Sequence, residues 1–379
     1  MKHQGSLSVA PCSIYFGKSV DWTAVIDFDN DPMCHQLPEK YVRRNRRHFL
    51  HVTGALAVGT TCAPSLLAAA RAEGPATAPA NSPPEEAGPR QAPLIQIGIL
   101  LGTFAGPALP ARLDVVKACG LDCVQFSLDC AGLEPMPQEI SPELAGRIHR
   151  EAAARGITIA SVQGTFNMSH PDPEQRRIGL RRLRVLAEAC PQIGTSKIHL
   201  CTGTRDRENM WRRHPENDLP AAWQDMAGCV REASEIARQT GVVLGFEPEV
   251  NNVVDSAQKA RRLLDEIGSP NLKVTIDPAN IFHTGELPRM KEMLDEAFAL
   301  LGKDIVMAHA KDLDHDGDAG HKAAGQGKLD YDRYFSLLYA NGFKGPLLLH
   351  GLSEAQVPGC VAFLRGKLAR LTPGSRPLR

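Results

Sequence analysis

No Cys-x-x-Cys pair occurs in this chain, and no Gly-x-Gly-x-x-Gly follows its first apolar run. The first absence removes the signature of a thiolate zinc site or a dithiol redox motif. The second removes the fingerprint of a dinucleotide-binding domain. Neither sign of charge dominates, since Lys+Arg and Asp+Glu both number 43. Residues 1–72 hold 8 of the basic and 5 of the acidic residues, which leaves 35 and 38, a net of −3, for the body. A slightly acidic body lacks the basic footprint of a nucleic-acid binder. Aromatic residues make up 5% of the chain, too few for extended stacking against long polysaccharides. The seven cysteines beyond residue 72 are an odd number with no framework spacing, so no disulfide scaffold is signalled. No repeat shorter than a strand–helix unit is present.

What is present begins with an export pattern. Arg46-Arg47-His48-Phe49-Leu50 leads into a moderately apolar run to Ala70, and Ala70-Arg71-Ala72 supplies small residues of the A-x-A type. Paired arginines before such a run resemble a twin-arginine signal, with cleavage expected near Ala72 and a periplasmic destination. Gly54, Gly59, Thr60, Thr61 and Pro64 interrupt the run, which argues against a stable membrane anchor. Residues 1–40 add acidic residues without evident structure, and translation is expected to start near Met33. Residues 73–93 are rich in Pro and Ala, cannot bury a core, and read as a flexible linker.

From residue 94 to 379 the chain alternates short apolar runs with segments of helical period. The runs are 94–100, 123–128, 157–162, 197–201, 242–246, 272–276, 305–308 and 346–349. Helical segments are expected at 142–155, 173–189, 220–240, 256–267 and 289–301, and Gly120, Gly156, Gly241 and Gly268 stand where left-handed caps would close helices. About eight such units in one stretch fit a single-domain α/β fold, a (β/α)8 TIM barrel, better than an open doubly wound sheet.

Four of the later runs end in groups that bind metals or move protons. Phe246-Glu247-Pro248-Glu249 closes the fifth, Ile276-Asp277-Pro278-Ala279-Asn280 the sixth, Ala308-His309-Ala310-Lys311-Asp312 the seventh and Leu349-His350 the eighth. In a barrel of this kind the C-terminal strand ends build the active site. Glu247, Asp277, His309 and His350 in register can converge on one divalent ion. A single carboxylate after a strand is equally a helix cap, and a single His in an apolar run is equally a core residue. Four in succession carry the metal reading. Lys311, Gln163 and His199, at strand ends, are placed to meet substrate, and Trp211 with His214, in the loop 209–218, could form a lid. Asp312-Leu-Asp314-His-Asp316-Gly317 begins like a calcium loop, but Ala323 stands where the twelfth-position glutamate belongs. His315 and His321 leave a second, weaker metal contact open.

With the segments around Glu247, Asp277 and His309, Gly325-Gln326-Gly327, Asp330-Tyr331 and Gly345-Pro346-Leu347, the body from about 94 to 370 resembles the xylose-isomerase-like barrels. These are the sugar (phosphate) isomerases and epimerases and their AP-endonuclease relatives. The resemblance implies one Mn, Co, Mg or Zn ion held by Glu247, Asp277, His309 and a fourth group. It also implies a sugar or polyol substrate, with Asn280 as a contact to one of its oxygens, and proton abstraction through an enediolate. The fourth group departs from the pattern, with His350 where the epimerases place glutamate. Only Glu247 is then a carboxylate of the catalytic pair, and His350 is either a ligand or the opposing acid/base. A lyase or hydrolase on the same scaffold, and a silent sugar-binding barrel, are the alternatives. No nucleic-acid partner is expected. Export machinery of the twin-arginine type is, and an oligomer is possible.

Overall fold

The computed structural model describes residues 95–370 apart from Pro107. The export signal, the Met33 start and the linker 73–93 all lie outside the described residues.

Eight parallel strands close on themselves. They are β1 (Gln96–Leu100), β2 (Cys123–Phe126), β3 (Thr158–Gln163), β4 (Lys197–Cys201), β5 (Val243–Glu247), β6 (Leu272–Ile276), β7 (Ile305–Asp312) and, after a two-residue strand β8 (Lys322–Ala323), β9 (Pro346–Leu349). Each pairs with the next around the ring, and β9 pairs with both β7 and β1. The ring is therefore a closed (β/α)8 barrel with no free edge. Helices α1 (Leu109–Ala118), α2 (Pro142–Ala153), α3 (Pro173–Ile193), α4 (Pro220–Thr240), α5 (Ala257–Ile267), α6 (Met290–Leu301), α7 (Tyr331–Ala340) and α8 (Val357–Ala369) fill the crossovers.

Local chemistry sets these boundaries. Pro142, Pro173 and Pro220 open their helices, where a missing N–H costs nothing. Ser141, Asp172 and Ser256 accept backbone N–H bonds as caps. Gly120, Gly156, Gly241 and Gly268 all take positive φ, as their positions imply. The third helix runs to Ile193, past the 189 expected, because Gly194 supplies the left-handed stop. The seventh strand is longer than its apolar run. It continues through Lys311 and Asp312 because β8 folds back and pairs antiparallel with those two residues.

Most of the apolar core lies between the ring and the helices. A second, small cluster of Cys123, Ala160 and Leu348, with Leu100 against it, lies apart from that core. Gly98 is in register with Cys123 and Leu348, and a Cβ there would stand 2.5 Å from Cys123 and 2.7 Å from Leu348. Leu100, the last residue of β1, brings this cluster up to the polar side chains at the C-terminal end of the ring. All seven cysteines of the described residues are free, and six of them are buried. No helix among the described residues is long and apolar enough to cross a membrane.

Candidate active site and metal centre

The C-terminal ends of β5, β6, β7 and β9 carry Glu247, Asp277, His309 and His350 into one cluster. Each offers a ligand atom, and these atoms lie within 4.8 Å of one another. His309 Nδ1 is 3.4 Å from Glu247 Oε2 and 3.7 Å from Asp277 Oδ2, and His350 Nδ1 is 3.5 Å from that same Asp277 oxygen. Asp277 Oδ2, His309 Nδ1 and His350 Nδ1 are buried without a hydrogen-bond partner. Buried polar atoms are normally satisfied, so three facing one another point to a missing common partner. Bonds of 2.0–2.2 Å to a tetrahedral ion would set neighbouring donors roughly 3.4 Å apart. The residues fit a divalent ion by both separation and donor type.

Asp277 divides its carboxylate between fold and site. Oδ1 accepts the N–H of Ala279 at 3.1 Å and caps the short turn Pro278–Asn280. Oδ2 is left for the cluster. Burial opposes ionisation here, but Lys311, 3.3 Å away, and the neighbouring imidazoles hold this carboxyl well below the usual range. Burial acts on Lys311 as well, yet Asp277, Glu247 and Glu249 together raise its pKa and keep it cationic.

Around the cluster each side chain is oriented by another. Gln125 of β2 places Oε1 3.3 Å from His309 Nε2, and Ser161 of β3 faces the same oxygen from 3.5 Å. An amide oxygen at Nε2 calls for an N–H there, which frees Nδ1 as the lone-pair nitrogen. Asn280 Nδ2 donates to Glu247 Oε1, and Asn280 Oδ1 accepts from Gly320 N at 2.9 Å. His199 of β4 reaches over Gly245, its register partner, to Thr275 Oγ1 of β6 at 3.2 Å. Its Nε2 lies 3.3 Å from Glu247 Oε2. Burial, with His309 and His350 nearby, keeps His199 neutral. Thr275 Oγ1, which faces Nδ1, also donates to Gly245 O at 3.2 Å and so ties the imidazole to the backbone of β5.

Glu247, His309 and His350 of the cluster line a cavity of about 340 Å³, whose fourteen lining residues also include Gln163, His199, Asn280 and Lys311; Asp277 is fully buried and does not line the cavity. Trp211 stands at its wall and is 46% exposed, whereas His214 is absent from the lining and caps the turn Pro215–Asp218. The cavity also exposes four polar groups that sequence reasoning did not assign to the site: Gln125, Glu249, Asn251 and Asp318. Gln125 left a trace as the one polar residue of the run Cys123-Val-Gln-Phe126. Glu249 was visible in its motif but without a role. Burial first, then Glu247, pushes its pKa up to about 8. His350 moves the other way, to about 4, through burial of its inner edge and the Lys311 charge.

Asp312, one residue past Lys311, faces away from the ion cluster. Its carboxylate accepts the N–H groups of Leu313, Gly325, Gly327 and Leu329 and thereby shapes the loop after β8. A Cβ on Gly327 would stand 2.3 Å from Asp312 Oδ1, which accounts for that glycine.

A barrel closed by eight parallel strands, with its carboxylates and imidazoles on the C-terminal ends of the last four, defines the class. The chain belongs to the xylose isomerase-like TIM barrel family, whose model matches residues 113–359. An L-ribulose-5-phosphate 3-epimerase of Shigella boydii serotype 18 is 24% identical over 257 residues, 66% of this chain and 84% of the relative. Among solved structures, a D-tagatose 3-epimerase-like protein superposes with a TM-score of 0.59 at 14% identity, covering 73% of this chain and 97% of that one. The 3-keto-D-glucoside 4-epimerase of E. coli gives 0.56 at 18% identity, covering 72% and 99%. At these identities the structural likenesses are likenesses of fold.

Proposed function

We propose that the protein is a metal-dependent isomerase or epimerase of a sugar or sugar-like polyol, with Glu247, Asp277, His309 and His350 holding one divalent ion. The observation that carries this reading is the trio of unpartnered buried atoms, Asp277 Oδ2, His309 Nδ1 and His350 Nδ1, clustered with Glu247. Related proteins named as sugar epimerases support the substrate class. Two imidazoles in the set favour zinc-like ions over magnesium.

The ion, when bound, supplies Lewis-acid polarisation of a substrate carbonyl. Glu247 removes the proton α to that carbonyl. Its pKa is raised by burial, which strengthens it as a base, and Asn280 and His199 fix the plane of its carboxylate. His350, neutral above about pH 4, serves as a ligand rather than as a proton donor. Lys311 and Glu249 carry protons at neutral pH and line the same cavity, which makes them the groups able to return a proton on the face opposite Glu247. Lys311 also places positive charge where the enediolate oxygens develop negative charge.

The deciding experiment incubates the chain, supplied with Mn, Co, Mg or Zn, with ketoses and aldoses in heavy water and follows carbon-bound deuterium by NMR. Exchange that disappears in Glu247→Gln supports the assignment. Bound metal with no exchange on any substrate overturns it.

We also read the twin-arginine pattern as export of the folded barrel to the periplasm. Replacing Arg46 and Arg47 with Lys should retain the protein in the cytoplasm, and cell fractionation tests this.

A further inference from the structure

Strands β7 and β8 form a small antiparallel ribbon, with Asp312 opposite Lys322. The hairpin loop between them therefore starts and ends at one place, and it brings together three residues far from the barrel floor in role. Both Nδ1 of His315 and Nε2 of His321 lie 2.7 Å from Oδ1 of Asp314. The two imidazoles lie 4.3 Å apart with a tilt of 34°. All three donor atoms fall within 4.8 Å of one another. The second oxygen of Asp314 is held by Lys322 Nζ at 2.9 Å.

We propose that Asp314, His315 and His321 form a second metal site, taking a borderline transition-metal dication such as Zn(II), with water completing the coordination. Two imidazoles and one carboxylate select zinc, copper, nickel or cobalt over magnesium and calcium. The site binds by exchanging two N–H···O bonds for three bonds to the ion. For ligation through these nitrogens each neutral ring moves its proton to the far nitrogen, Nε2 of His315 and Nδ1 of His321, so the N–H···O bonds to Asp314 are given up by a change of tautomer. Asp314 is ionised throughout, because Lys322 and then the two histidines hold its carboxyl far below the usual range. Lys322 is the competitor for the carboxylate, and its presence keeps the affinity moderate.

The loop that such an ion would close reaches the active site. Asp316 accepts from Leu287 N at 2.7 Å, and Gly317 N donates to Phe282 O at 2.9 Å. Asp318 accepts from Asn251 at 2.7 Å, and Gly320 N donates to the same Asn280 that holds Glu247. Asp318 and Ala319 form part of the cavity wall. An ion bridging the loop's two ends would fix that wall.

The test uses the full chain, stripped with a chelator, titrated with Zn(II) and analysed for bound metal by equilibrium dialysis. Two equivalents are expected for the unaltered protein, and one each for His315→Ala/His321→Ala and for Asp277→Asn. Zinc should also slow tryptic cleavage after Lys322 about tenfold in the unaltered chain and leave the double variant unprotected. Lys322→Gln should tighten zinc binding at this site several-fold. One equivalent in the unaltered protein that the double histidine variant retains overturns the proposal, as do two equivalents in both proteins. A single equivalent lost in that variant but kept in Asp277→Asn supports the loop site and removes the barrel site instead. If the double variant fails to fold, His321→Gln with the protease readout decides in the same way.

Discussion

Lys311 Nζ stands 3.3 Å from Asp277 Oδ2, the oxygen that His309 and His350 also face. The ammonium is thus the counter-charge of the buried carboxylates before any ion arrives, and a competitor for one of them afterwards. Lys311→Met should tighten Zn or Mn binding by about tenfold and lower turnover by about a hundredfold, the scale of a lost proton-transfer group. Calorimetry on the stripped chain and deuterium exchange read the two effects separately. Unchanged affinity would mean that the cation and the ion do not share Asp277.

Gln125 acts through His309. Gln125→Leu removes the acceptor opposite Nε2 and leaves the imidazole free to rotate and change tautomer. Metal affinity should fall 10–100-fold, the usual effect of losing such a partner. Saturating metal should then restore most of the turnover. A loss of turnover that metal does not rescue would place Gln125 on the substrate instead.

Glu249 should govern how stability depends on pH in the metal-stripped chain. Its carboxyl ionises near 4.5 in an unfolded chain but only at about 8 when folded. The folded state therefore holds a proton that the unfolded state releases. This contribution is complete below about pH 4.5 and is lost as pH rises towards 8, at up to ~1.4 kcal/mol per pH unit. Urea unfolding of Glu249→Gln should match the unaltered chain near pH 4 and exceed it at pH 8. Parallel stability curves for the two chains across that range would refute the shift.

Gly245 allows His199 to reach Thr275. A Cβ there would lie 2.6 Å from Met307 Cε and 2.7 Å from Thr275 Oγ1. Gly245→Ala should destabilise the fold by ~1–3 kcal/mol through overpacking. It should also separate Thr275 from His199, lowering turnover beyond what the stability loss explains. Full activity in a chain that unfolds at the unaltered urea concentration would contradict both.

The barrel was legible because its signals are periodic and local. Apolar runs, proline starts and glycine stops each follow from a few neighbouring residues, and the runs 197–201, 272–276 and 346–349 coincide with strands. The convergence of Glu247, Asp277, His309 and His350 was legible for a related reason. Each residue follows its apolar run directly, and closure brings the C-terminal ends of those runs together whatever the details of packing. Gln125, Ser161 and Thr275 were not legible in this way. Each is one polar residue inside an apolar strand, and only closure of the ring decides that it faces His309 or His199 rather than a helix. The length of β7 depended on β8, whose two residues carry no strand pattern. His214 was paired with Trp211 by proximity in sequence, but the loop turns one into the cavity and uses the other as a cap.

The division of labour within Asp277 separates folding from chemistry at a single residue. Its turn needs one acceptor, and Asn or Ser would cap it equally well. Only a carboxylate has a second anionic oxygen to spare. A chain of this architecture with Asn or Ser at the corresponding position would keep its barrel and its turn and lose its hold on an ion. Position 277 is therefore where drift towards a silent barrel would be least visible in the fold and most decisive for activity.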